Sequence, residues 1–526
     1  MRDFQSPGRS TVVAANGLCA TSHPLAASTA IDILKQGGNA VDAAIAGAVL
    51  LGFCEPQMTG LGGDCFALIK PAGSEDVLAL NGSGRAPAGM NAQSIREQGH
   101  RVLPEESAHA VTLPGAVDGF CTLAERFGKL GLADCLAPAI YYAEEGVPVA
   151  PRVAFDWATS TDRLQGPARR LFLSGEQPLK VGQLFRAPEQ AEVLRRIAKD
   201  GRDGFYAGAV AEDMSAVLQA AGGTHTPDDF ANTRSTWETP ISGPYRDLEI
   251  IEHPPNAQGT AALLLSAILS QFDLASMAPD DPEKIHIEAE AQKLAYDARN
   301  RFVADPSAMA DPARLQRAGL AEKLAALIDP DQANSATTTI TEAVHKDTIY
   351  ITVVDKDRMA VSLIYSIFHS FGSGIASDKF GILFHNRGAG FSLAPGHPNE
   401  AAPGKRPMHT IIPGMLRQGG KIIAPFGVMG GQYQAAGHAR FASNIADYGM
   451  EIQAALDAPR AFAIDGDLQL ERGYGAEIRQ ALAVKGHRIV TPETGIGGAQ
   501  TIRIDHELGV LYGASDPRKD GCALGY

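Results

Sequence analysis

The sequence predicts an α/β protein built of layered sheets and helices, and three observations carry that reading. Helical, Ala/Leu-rich runs occupy residues 24–51 and much of 190–330, short β-branched runs with Gly and Asp turns follow Thr348, and helical runs return towards the C-terminus. Blocks of the two periodicities in one chain bury their apolar faces best as sheets covered by helices. The 526 residues hold no Pro- or Ser-rich linker and no low-complexity block, so several domains are permitted but not required. With 45% hydrophobic and 20% charged residues, the chain can bury a large core.

Pro24 to Gln36 carries Leu25, Ile31 and Leu34 at helical spacing and stops at Gly37-Gly38. Ala40 to Leu51 is apolar around most of its circumference, as in a helix packed between layers. The apolar run Ala40 to Phe53 is too short to cross a bilayer and contains Asp42. Pro282 to Arg301 reads as a long helix. Thr348 to Val354 and Met359 to Tyr365, joined by Asp355-Lys356-Asp357-Arg358, predict a hairpin. Lys421 to Val428 is a further strand that ends at Gly430-Gly431, and Ala435 to Leu456 and Ala476 to Ala483 are expected to be helical.

A net charge of −14 disfavours a nucleic-acid or anionic-membrane partner. Met1 to Ser10 lacks the apolar core of a secretory signal, which gives the expectation of a cytoplasmic protein. Cys19, Cys54, Cys65, Cys121, Cys135 and Cys522 form no CxxC pair or disulfide framework and read as core fillers in a reducing compartment. Gly60-Leu61-Gly62-Gly63 is not a phosphate loop, because no Lys-Ser/Thr follows it. The histidines show no metal-ligand spacing, so no metal centre is expected.

The chemistry centres on Thr348, which opens a β-branched strand directly after the polar stretch Ala333 to Asp347. A threonine hydroxyl is a weak nucleophile without an adjacent base, and a threonine freed at its own N-terminus carries one intramolecularly. An α-amine titrates near pH 7.7–8.0, close to what a general base needs at neutral pH. From these residues alone, an ordinary core strand is the favoured reading of the run.

The company this strand keeps supplies the distinction. Thr348 to Asp357 is followed by Ala360-Val361-Ser362, Phe371-Gly372-Ser373-Gly374-Ile375, Gly404-Lys405-Arg406-Pro407-Met408 and Gly430-Gly431. Earlier come Gly37-Gly38-Asn39-Ala40-Val41-Asp42, Gly60-Leu61-Gly62-Gly63-Asp64, Leu113-Pro114-Gly115 and Ala304-Asp305-Pro306, and near the end Gly513 to Arg518. In this order the motifs resemble the γ-glutamyltranspeptidase family of N-terminal nucleophile hydrolases over essentially the whole chain. The resemblance implies a four-layer αββα sandwich and self-cleavage between Asp347 and Thr348. The products would be a large subunit, 1–347, and a small subunit, 348–526, forming one structural unit. A homodimer of that unit is compatible with the reading. The resemblance implies no cofactor. It makes Thr348 the nucleophile, Gly430 and Gly431 the oxyanion hole, and Ser366 the hydroxyl that hydrogen-bonds the nucleophile, although a surface serine is equally open for Ser366.

Substrate recognition departs from the family pattern. Where γ-glutamyl enzymes hold the α-carboxylate with an arginine, this chain has Ser83 in Asn81 to Pro87; their serine pair becomes His409-Thr410, their amino-group aspartate Gly390, and an asparagine Phe368. A charge-assisted hydrogen bond is worth roughly 1.5–3 kcal/mol, so two lost clamps argue against glutathione. Arg85 lies two residues from the vacant position, about 6–7 Å away along a strand. Tyr365 to Gly372, Asn386 to Leu393 and Arg406 to Thr410 look more like the oxamate amidohydrolase and acylase-like members. Arg387, His369 and His409 are the polar candidates for a compact anionic acyl group, with a solvated loop charge or satisfied buried histidines as the alternatives. His253 to Gly259 is expected to be a loop near the site. Three functions remain open: an amidohydrolase of a small non-γ-glutamyl amide such as oxamate, a γ-glutamyl hydrolase or transpeptidase with a rebuilt clamp, and a catalytically silent binding protein.

Overall fold

The computed structural model describes residues 8–334 and 348–526. Asp347, on one side of the expected cleavage point, lies outside the described residues, as do most of the polar stretch before it and Met1 to Pro7.

Two seven-stranded antiparallel sheets form the centre. One runs, in spatial order, Val12–Ala14, Val510–Ser515, Gly498–Asp505, Lys421–Met429, Gly414–Gln418, Leu248–Glu252 and Ile241–Tyr245. The other runs Cys522–Gly525, Leu18–Thr21, Ile349–Val354, Ala360–Ser366, Asp64–Lys70, Leu78–Gly82 and Thr236–Glu238. Each sheet takes strands from both before and after Thr348.

The hairpin predicted around residue 355 forms with Ile349 opposite Tyr365 and Val354 opposite Ala360. Its first strand is buried on both faces because the period-2 alternation divides it between two cores. Ile349, Ile351 and Val353 face a helical layer, and Tyr350 and Val354 face the other sheet. The sheets approach closely there. A Cβ at Gly427 would stand 2.3 Å from the Tyr350 ring.

Helices cover both outer faces. Pro24–Lys35, Ala40–Cys54, Ala116–Phe127 and Leu132–Glu145 pack on the sheet that holds Ile349–Val354. Gly259–Leu269, Pro282–Phe302 and Gln434–Ala446 pack on the other. The architecture is therefore the four-layer αββα sandwich. Ala40–Cys54 is buried at every position, as its all-round apolar surface predicts, and Asn39 and Asp42 close a capping box at its start. Asp42 also accepts from Lys129 N, which satisfies the carboxylate inside the apolar run.

One expected helix is two. Ala435 to Leu456 divides into Gln434–Ala446 and Ile452–Asp457, because Gly449 turns left-handed at φ +58° and Glu451 caps the second piece through Gln453 N and Ala454 N. Cys19, Cys54, Cys65 and Cys135 are buried core residues, Cys121 and Cys522 are half-buried, and all six are unpaired. Among the described residues no helix is long and apolar enough to cross a membrane.

Candidate active site

Thr348 sits at the lip of the central hairpin, 1% exposed, and its hydroxyl donates to Ser366 Oγ across the strand pair at 3.3 Å. Among the described residues, Ser366 is the only side chain that hydrogen-bonds this hydroxyl. Ser366 Oγ also accepts from Phe368 N at 2.8 Å and from Arg387 Nη2 at 3.5 Å. Ser366 is thus a buried junction, and the surface alternative falls away.

Arg387 is no solvated loop charge. It is 1% exposed, donates from Nη1 to Thr410 Oγ1 at 2.9 Å, and lays its guanidinium over the Phe368 ring at 3.8 Å. Its Nε has no partner among the described residues. Burial lowers its pKa to about 9, and Asp64 opposes that shift from a distance. Phe368 holds the ring in place from a left-handed backbone, φ +79°, and stacks on His369 at 4.4 Å. His369 in turn is fixed by the Asn386 amide at 2.6 Å and the Glu105 carboxylate at 3.1 Å. It supports the Phe368 shelf from behind.

His409 is buried against the Phe66 ring, and its Nε2 donates to Asp64 Oδ2 at 3.2 Å while its Nδ1 accepts from Ile411 N. Burial first, then the Arg387 charge, push its pKa down to about 3, so the imidazole is neutral. Asp64 was missed in the sequence as a site residue. Burial would raise its carboxyl, yet His385, His409 and Arg387 outweigh that and hold it at about 2. Its Oδ1 accepts from Gly84 N at 2.9 Å and Gly115 N at 3.2 Å, which ties the Ser83 segment to His409. Ser83 itself donates to Asn81 Oδ1 at 2.6 Å and receives the Asn256 amide at 3.4 Å. Arg85 points away: it pairs with Asp305 at 3.2 Å, its side chain 43% exposed, and does not replace the missing arginine.

Gly430 and Gly431 follow the strand whose Gly427 abuts Tyr350, two residues from Thr348. Both are left-handed, at φ +113° and +55°. Gln258, from the loop expected near the site, bridges Thr410 O and Gly431 O through its amide, and buried Arg299 holds the Gln258 Oε1. Gly430→Ala is expected to cost about 1–3 kcal/mol of stability, read as a lowered Tm. The positive φ disfavours any side chain, and a Cβ would stand 2.9 Å from Gly497 Cα.

A cavity of about 630 Å³ opens beside these groups, lined by Gly390, Met408, Gln432, Arg299 and His397 among others. Its edge is basic. The arrangement as a whole offers a buried hydroxyl, a turn of left-handed glycines and a buried guanidinium with one unsatisfied nitrogen. Elsewhere, His286, Glu290 and His487, which the sequence reading did not group, bring three potential ligand atoms within 4.8 Å of one another. The i,i+4 relation of His286 and Glu290 was readable, but His487 is distant in sequence.

The γ-glutamyltranspeptidase family model matches residues 26–526. The chain is 34% identical to the glutathione hydrolase-like YwrD proenzyme of Bacillus subtilis, over 98% of this chain and 99% of that one. It is 33% identical to the oxamate amidohydrolase proenzyme of Klebsiella pneumoniae, over 98% and 100%. The solved cephalosporin acylase from Bacillus halodurans superposes with a TM-score of 0.92 at 38% identity, covering 100% of this chain and 99% of that one. Fold and relatives together define an N-terminal nucleophile hydrolase made as a proenzyme. The chain belongs to the γ-glutamyltranspeptidase family, as a hydrolase/acyltransferase.

Proposed function

We propose that this proenzyme cleaves itself before Thr348 and then hydrolyses a small amide whose acyl group carries a carboxylate, oxamate being the simplest example. The observation that carries the substrate class is Arg387: a fully buried guanidinium whose Nε is unsatisfied, one hydroxyl removed from Thr348. A buried cation is costly until an anion meets it, and a bidentate carboxylate is its best partner.

In this reading the products are residues 1–347 and 348–526. The α-amine of Thr348 takes the hydroxyl proton as Oγ1 attacks the amide carbon, a tetrahedral oxyanion forms at the Gly430-Gly431 turn, and the amine leaves with the proton. Water then releases the acyl group from Oγ1. The acyl transfer needs no cofactor. That no imidazole, amine or carboxylate bonds the Thr348 hydroxyl among the described residues supports an intramolecular base. Ser366 orients the hydroxyl, Thr410 and Phe368 hold Arg387, and His409 and His369 act through Asp64 and Phe368 as positioning residues. Ser83 brings no charge to the place where γ-glutamyl enzymes carry an arginine. The six unpaired cysteines support a reducing compartment such as the cytoplasm.

The test is a substrate panel on the purified, processed protein. The expected kcat/KM for γ-glutamyl anilide or glutathione is at least about a hundredfold below that for the best small carboxylate-bearing amide. Efficient turnover of glutathione would instead establish a γ-glutamyl enzyme with a rebuilt clamp.

A further inference from the structure

We propose that His286, Glu290 and His487 bind one divalent transition-metal ion of the zinc class, which ties the helix Pro282–Phe302 to the turn before the strand Arg488–Val490. The three side chains are buried, and their ligand atoms lie within 4.8 Å of one another. His286 and Glu290 stand one helical turn apart on the same face. An ion with bonds of about 2.1 Å reaches ligand pairs up to about 4.2 Å apart, so a shift of about half an ångström completes the set.

The hydrogen bonds already favour the ligand forms. His286 Nε2 donates to Asp329 O at 2.8 Å, the outer bond that fixes the tautomer of a metal-binding histidine and leaves Nδ1 as a lone pair. That lone pair points at His487 Nε2, 2.8 Å away. In the metal-free protein one proton lies between them; metal binding moves it to His487 Nδ1 with no change in charge.

Glu290 has one oxygen anchored by Asn334 N at 3.1 Å, while the other holds the Lys293 ammonium at 2.7 Å. Lys293 is therefore the resident cation that the metal displaces. A cavity of about 200 Å³ adjoins His487 and Lys293 and also carries Asp467, which leaves space for a water ligand and for the displaced side chain. Two nitrogens and one carboxylate oxygen, without sulfur, select zinc, cobalt or nickel over calcium or magnesium. His286 and Glu290 precede Thr348 and His487 follows it, so in a chain cleaved there the ion joins the two fragments.

The experiment uses untagged full-length protein dialysed against chelator, titrated with zinc chloride by calorimetry and with cobalt chloride by visible absorption. One ion per chain is expected, with a cobalt d–d spectrum free of a sulfur charge-transfer band. At a hundredfold excess over Kd, Tm should rise by about 2–3 °C. Glu290→Gln and His487→Asn should weaken binding at least about tenfold and abolish the Tm rise. Lys293→Ala, which removes the competing ammonium and no ligand, should tighten it. No stoichiometric binding, or affinity unchanged in all three variants, overturns the proposal. If the two ligand variants do not fold, Lys293→Ala decides it, since unchanged or weaker binding there is also a refutation.

Discussion

Thr348→Ala is expected to persist as a single 526-residue chain with no detectable amide hydrolysis, while the wild type runs on a denaturing gel as fragments of roughly 37 and 19 kDa, at ~0.11 kDa per residue. The substitution removes the hydroxyl that would attack the preceding peptide carbonyl, so maturation and turnover fail together. N-terminal sequencing of the smaller fragment should read Thr-Ile-Tyr-Ile. Under native conditions the two fragments should co-elute, because each central sheet joins strands from before and after Thr348 by hydrogen-bonded pairs. Ile349–Val354 alone is hydrogen-bonded to Leu18–Thr21 on one side and Ala360–Ser366 on the other. Separation would demand that both sheets come apart. An intact chain that is active, or a small fragment beginning elsewhere, ends the assignment of Thr348.

Much of the fold could be read from local pattern because its strongest elements are also locally consistent. The helix from Ala40 and the hairpin after residue 348 have caps, turns and periodicity that agree with their tertiary roles. The break near Gly449 was hidden because the apolar spacing continues across it, and only the Glu451 cap and the positive φ reveal it. Sheet order could not be read at all. Val12–Ala14 pairs with Val510–Ser515 across nearly the whole chain, and no local signal encodes such a pairing.

The candidate site was legible as a set of residues and not as a network. Thr348, Ser366, Arg387 and Thr410 were each singled out, but that they form a continuous chain of contacts is a property of the fold. Asp64 and Gln258 went unassigned because a carboxylate after glycines and an amide in a loop carry no chemistry until their partners are known. Asp64 acquires its role from His385, His409 and Arg387, which come from segments more than 300 residues later. Arg85 shows the converse. Its proximity in sequence to the vacant clamp suggested a substitute, and Asp305 holds it outside.

Arg387→Met should reduce turnover of a carboxylate-bearing amide by about 30- to 1000-fold, or about 2–4 kcal/mol of transition-state stabilisation. A neutral amide of the same size should lose far less, since the acyl chemistry at Thr348 does not consume the guanidinium's charge. Methionine suits the test because it fills similar volume over Phe368 and brings no polar atom that needs a partner. Tm is expected to change little, because the substitution removes a buried cation with an unsatisfied Nε while His385 and His409 still face the buried Asp64 carboxylate. That combination, a protein no less stable but selectively disabled on anionic substrates, is the signature of a residue kept for binding at some expense to the fold. The fragment pattern on a denaturing gel should be recorded alongside, because Arg387 also touches Ser366 Oγ and a loss of cleavage would mimic a loss of binding. Equal losses on charged and neutral amides in fully cleaved protein would assign Arg387 to the support of Ser366. A fall of several degrees in Tm would make it chiefly the counter-charge of Asp64.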